Sequence, residues 1–129
     1  MVNGTMFDDA VAEEIRTVDV HYQQVLAGSA YDFLSTALYR SVPRYYVPFR
    51  SLYSVNIENL MMAGRCFSCS HIGLGGPRVM NTCGQMGIAT GYAASLCKKY
   101  NTNPRGVYMN YIEQLKDLIA YTPAPLADG

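Results

Sequence analysis

The chain has 129 residues, 50% of them hydrophobic and 16% charged, which fits one globular domain and excludes a disordered segment. Ten basic and ten acidic residues leave a formal net charge of zero, so no global field draws nucleic acid or an anionic membrane. No run reaches the ~18–20 apolar residues of a membrane span, and the start MVNGTMFDDAVAEE has neither a basic nor an apolar signal-peptide region, so a cytoplasmic chain without a span is expected.

In chain order, residues 7–16, FDDAVAEEIR, place Phe7, Val11 and Ile15 at helical spacing with acidic residues near the start, which predicts a short helix. Residues 17–25, TVDVHYQQV, alternate with β-branched residues and predict a strand. Residues 31–40, YDFLSTALYR, predict a second short helix. Residues 41–54 are aromatic and carry Pro43 and Pro48, which predicts an irregular edge hairpin. Residues 59–64, NLMMAG, form a short apolar run closed by glycine and predict a buried strand. Residues 66–78 predict a loop through Gly73, Gly75, Gly76 and Pro77. Residues 82–100 carry the strongest helix signal, with Thr82 and Gln85 at capping-box spacing and Pro104 shortly after the end. A last amphipathic helix is predicted over 107–120, with Tyr108, Tyr111, Ile112, Leu115, Leu118 and Ile119 on one face. The tail TPAPLADG reads as loose.

The stretch CFSCSH invites three readings. Covalent haem attachment needs histidine directly after the second cysteine, and Ser70 intervenes before His71. Structural zinc needs four ligands; Cys83 and Cys97 stand 14 residues apart on the predicted helix, too far to converge, so only three local candidates remain. A thioredoxin-like pair would open a helix, whereas Cys66 and Cys69 follow the predicted strand and enter a glycine loop. The expectation is reduced, partly buried cysteines and no metal.

The glycine loop opening onto a helix matters more. Such a helix end offers orphan N–H groups at the positive end of the dipole, suited to a phosphate or an electron-rich carbonyl. Gly84, Gly87, Gly91 and Ala94 follow at offsets of 3, 7 and 10, along one face. Each helical glycine costs roughly 1 kcal/mol against alanine, so a reason is expected. A packing seam and a ligand-binding end both remain open on these residues. No strand-GxGxxG-helix unit occurs in the chain.

The run VPFRSLYSVNIENLMMAGRCFSCSHIGLGGPRVMNTCGQMGIATGYAASLC resembles the C-terminal part of bacterial FAD-dependent oxidoreductases of the glutathione-reductase-like superfamily. It is similar to their pattern PYRSL…NLLVAGRC.S..H...GS.RVM.TC...G.AAG.AA, and GTMFDDAVA and VDVH resemble their RFDDAIA and IDIH segments. The resemblance implies an α+β or α/β fold. It implies a partial FAD-binding domain, its last strand plus the flavin-facing helix, with part of the substrate-side antiparallel sheet and a C-terminal helix. Residues 1–54 would be part of the substrate or cap region, and residues 55–129 the C-terminal segment of the FAD-binding domain.

By the same resemblance, Ala63, Gly64 and Arg65 match the turn near the ribityl and pyrophosphate of FAD. Val79, Met80, Asn81, Thr82 and Cys83 match the helix entry at the flavin pyrimidine edge, and Gly75 and Gly87 are further cofactor-side positions. A helix N-terminus there would stabilise the negative charge of reduced flavin. His71 is either a residue that orients substrate or takes a proton, or a loop histidine bonded to backbone. Arg78 either contacts an anionic substrate or the cofactor, or braces the loop. Cys83, Arg50 and His21 are implied to be structural.

Two departures stand out: the absent GxGxxG unit, and Gly75-Gly76-Pro77 where the family has Gly-Ser-X, which removes one N–H donor. The expectation is therefore a C-terminal portion or small subunit, empty of FAD and inactive alone. It would have an apolar face along Ala63 and the glycine helix, for a GxGxxG-containing chain or a second copy of itself. The alternatives are a non-catalytic interaction subunit and a small Cys/His metal module. Neither substrate nor electron acceptor follows.

Overall fold

A computed structural model of the chain describes residues 4–23 and 35–120. Its architecture is mixed α+β, with two two-stranded antiparallel sheets followed by a run of helices. The first predicted helix is instead strand β1 (Ala10–Glu14). It pairs with β4 (Tyr45–Pro48), Ala12 opposite Val47 and Glu14 opposite Tyr45. A bulge between Ala10 and Ala12 turns both Val11 and Ala12 inward, while Ile15 stays 66% exposed. A helix would have buried Ile15 and left the edge of β4 unpaired, so sheet pairing overrides the local pattern.

The predicted strand forms as β2 (Val18–Gln23), its last two predicted residues lying outside the described ones. β2 buries Val18 and Val20 and pairs with β3 (Ser35–Arg40), Val18 opposite Arg40. β3 replaces the second predicted helix, whose residues 31–34 are outside the described set. Its large residues Leu38 and Tyr39 are exposed, so no apolar helical stripe is lost by pairing. The expected hairpin over 41–54 is absent: β4 pairs across the chain with β1, then tightens into a 3₁₀ turn, Phe49–Ser51. Tyr45, Val47, Phe49 and Leu52 are fully buried there.

Residues 59–64 do not make a buried strand. Asn59 and Leu60 are exposed, and only Met61 bridges back, to Tyr53. Within the predicted loop lies a single helical turn, α1 (His71–Leu74), capped by Ser70, whose Oγ accepts from the Gly73 amide at 3.1 Å. The strongest predicted helix is α2 (Met80–Tyr100), which starts two residues early and ends at Asn101 in the left-handed conformation. The last predicted helix is two: α3 (Pro104–Asn110), capped by Asn103, and α4 (Ile112–Ala120). They part at Tyr111, whose ring stacks on Tyr100 at 4.0 Å. The TPAPLADG tail lies outside the described residues.

The core forms where one face of α2, Met86, Ala89, Ala93 and Leu96, meets Val47, Phe49 and Leu52 from the sheet side and Val107 and Leu115 from α3 and α4. Leu115 is fully buried. Leu115→Ala is expected to cost about 2–5 kcal/mol, read as a lowered urea midpoint at unchanged slope.

Candidate functional site

Two local structures meet at the start of α2. Gly64 sits at φ +65, a left-handed conformation that a side chain would strain, so the turn of residues 63–65 requires glycine there. A Cβ on Gly64 would stand 3.7 Å from the Cβ and Sγ of Cys83, which places the turn against the first turn of the helix. The Cys83 thiol donates to the Pro77 carbonyl at 3.5 Å, tying the glycine loop to the same point.

No side chain caps α2. Its N-cap is Val79, and Met80 is 92% exposed with Asn81 exposed beside it. The expected capping box is absent because both its members serve β1. Thr82 is buried and donates to Glu14 Oε2 at 2.6 Å. Gln85 accepts from the Glu13 amide at 2.8 Å and donates to the Glu13 carbonyl at 3.2 Å. Glu14 is buried, its Oε1 accepting from the Ile15 and Arg16 amides at 2.9 and 2.7 Å. A carboxylate against the first turn of a helix is favoured by the dipole.

A cavity of about 190 Å³ opens beside this junction, lined by Asp19, His21, Arg65, His71, Gly75 and Arg78 among others. Alternation on β2 puts Asp19 and His21 on one face, opposite to the buried Val18 and Val20. Arg78 donates from Nη2 to Asp19 Oδ2 at 2.9 Å and to the Asp19 carbonyl at 3.4 Å. His21 Nε2 lies 2.8 Å from Asp19 Oδ1, a close polar contact without hydrogen-bond alignment. Gly75 closes the wall: its carbonyl accepts from the Asp19 amide at 3.1 Å, and a Cβ there would press on Val18 at 2.9 Å. Among the described residues Arg65 and His71 have no hydrogen-bond or ion-pair partner.

The structure thus gathers His71, Arg78, Arg65 and Gly75 into one cavity, and Ala63, Gly64, Val79 and Cys83 around the adjoining turn. Met80 and Asn81 stand on the exposed first turn, whereas Thr82 points inward to Glu14. Gly87 lies apart, on the outer face of α2 with Gly84 and Gly91, where a Cβ on any of the three would meet open space. Sequence reasoning passed over Asp19 and Glu14. The alternation of VDVH was the available signal for Asp19; nothing marked Glu14.

Cys66 and Cys69 are exposed rather than partly buried, because in the segment 65–70 before α1 it is Phe67 alone that turns inward. Desolvation pushes the Cys69 and Cys97 thiols up, away from thiolate chemistry. Among the described residues no three His, Cys, Asp or Glu side chains come together as a metal site. Nor is any described helix long and apolar enough to cross a membrane. Arg50 is built into the scaffold: its amide and guanidinium both meet the buried Asp9.

No curated protein and no solved structure matches the chain. The family described as FAD dependent oxidoreductase matches it over residues 1–119. With nearly every residue covered, the chain belongs to the FAD dependent oxidoreductase family.

Proposed function

We propose that the chain is the C-terminal portion, or a small subunit, of a glutathione-reductase-like FAD-dependent oxidoreductase, and that it supplies the flavin-facing turn and helix. The observation that carries this reading is the junction itself: Gly64, at positive φ, packs on Cys83 in the uncapped, exposed first turn of a 21-residue helix. The residues fit the cofactor. A glycine turn lets backbone approach closely, and the first N–H groups of α2 have no side chain serving as cap.

The backbone of residues 63–65 and the first turn of α2 from Val79 to Cys83 would hold the cofactor, while the Arg65 side chain lines the cavity. Gly75 lines the cavity beside this turn, and Gly87 lies apart from it on the outer face of α2. When bound, FAD supplies the redox chemistry. His71 and Arg78 face the substrate, His71 placed to orient it or exchange a proton and Arg78 held by Asp19 in the cavity wall. Residues 1–54 belong to the substrate side, and residues 55–129 to the FAD side.

The ADP half of FAD needs a GxGxxG unit, and this sequence has none. The exposed glycine face of α2, with Ile88 beside it, is where that half would pack, from another chain or another copy. The purified chain is therefore expected to show no flavin absorbance between 300 and 550 nm and no activity. Flavin bands at one per chain would sink the reading of an incomplete site. Appearance of the bands only on adding a GxGxxG-bearing partner would support it.

A further inference from the structure

The cavity at β2 has a charge pattern that names what it binds. We propose, resting on its assignment above as the substrate side, that it takes a single carboxylate group held by Arg65 and His71, and that Asp19 sets this preference by occupying Arg78 as an internal counter-ion.

Size comes first. About 190 Å³ is below the ~300–1,000 Å³ of sites that enclose a whole drug-sized ligand, so the cavity suits a small molecule or one end of a larger one. Charge comes next. Two guanidinium groups line it, from Arg65 and Arg78, against one carboxylate, from Asp19. With neutral histidines the lining is left with one positive charge.

That charge is not shared evenly. Arg78 already donates to Asp19 Oδ2 at 2.9 Å and to the Asp19 carbonyl, and His21 sits 2.8 Å from Oδ1. Arg65 and His71 have no such partner among the described residues. They are the donors left for a ligand. A guanidinium fork matches the two in-plane oxygens of a carboxylate, and an imidazole adds one further donor. A second negative charge would meet the fixed carboxylate of Asp19, so a dianion is disfavoured.

The chain reports on this directly, because it has two histidines and both line the cavity. Their ring proton signals in the full chain are followed by NMR at fixed pH and constant ionic strength, with sodium chloride replaced by sodium acetate, sodium malonate or inorganic diphosphate. Saturable shifts of the His71 signal with acetate, stronger than with malonate, are expected. Arg65→Gln, at an exposed side chain without a hydrogen-bond or ion-pair partner among the described residues, should weaken acetate about tenfold or more. Asp19→Asn frees Arg78 and removes the repulsion, and should tighten malonate about tenfold while changing acetate less.

No saturable shift with any anion in the wild-type chain would overturn the proposal. So would unchanged acetate binding in Arg65→Gln, a substitution at an exposed side chain. Binding of diphosphate but not acetate would assign the pocket to the cofactor's pyrophosphate; it would overturn the carboxylate and leave the flavin reading standing. None of these outcomes depends on loaded FAD, so they fail or succeed apart from the absorbance test.

Discussion

Gly76→Ala is expected to destabilise the chain by about 3 kcal/mol, and Tyr45→Phe to restore most of that loss. A Cβ at position 76 would stand 3.0 Å from Tyr45 Cζ, overlap Tyr45 Oη outright, and lie 3.1 Å from Glu14 Cγ. Tyr45 is fully buried, so its ring cannot swing away as a surface tyrosine would. Among the described residues its hydroxyl has no hydrogen-bond partner. Removing that hydroxyl takes away both the clash and a buried unsatisfied group. Tyr45→Phe alone should therefore stabilise by about 1 kcal/mol. A double-mutant cycle in urea gives the coupling, and additive effects of the two substitutions would refute the contact.

The same residue predicts alkaline sensitivity. Burial, and then the nearby Glu14 carboxylate, push the Tyr45 phenol far above its ordinary 10.0. A raised folded-state pKa contributes stability that is whole below pH 10 and declines above it, as the unfolded phenol ionises first. Tyr45→Phe should flatten that decline. Part will remain, because burial also raises Tyr53.

Arg50→Ala is expected to cost about 3 kcal/mol, by leaving the Asp9 carboxylate buried without its cation. Asp9 is 1% exposed. Its Oδ2 accepts from the Arg50 amide at 2.9 Å, and the guanidinium stands 2.9 Å from Oδ1. The same guanidinium lies over the rings of Phe7 and Tyr108 at 5.5 and 5.7 Å, joining the segment before β1 to α3. Solvent reaches the other side of Arg50, which holds the cost near the low end for a buried pair. Asp9→Asn keeps an acceptor for the amide while removing the charge. The double variant Asp9→Asn, Arg50→Ala should therefore lose less than the two single losses added, by thermal or urea unfolding. Strict additivity would mean that Arg50 acts through packing alone.

What could be read in advance followed the strength of the local signal. α2 was legible because its 21 residues, free of proline, run between a glycine loop and Pro104. β2 was legible because Val18 and Val20 alternate with polar residues. β1 was not: Val11 and Ile15 mimic a helical stripe, and the bulge that buries both Val11 and Ala12 exists only in the pairing with β4. Thr82 and Gln85 had the spacing of a capping box, yet a buried carboxylate and a strand edge, 68 and 72 residues away in sequence, took both side chains. Ala63, Gly64, Arg65, His71 and Arg78 share one short motif-bearing stretch, and the fold brings them to one cavity and its adjoining turn. Asp19, at the centre of the cavity, was hidden because one carboxylate on a strand looks like any solvated residue.

The pair of hydrogen bonds between Gln85 and Glu13 has a consequence for assembly. β4 covers one side of β1; on the other, the Gln85 amide offers one acceptor and one donor to the Glu13 main chain, as a neighbouring strand would. An unpaired strand edge is a template on which other chains can polymerise. Here a helix side chain occupies that template at Glu13, the fourth of its five residues. Copies of this chain meeting at high concentration cannot zip onto β1 at Glu13 without first displacing an amide that α2 holds in place.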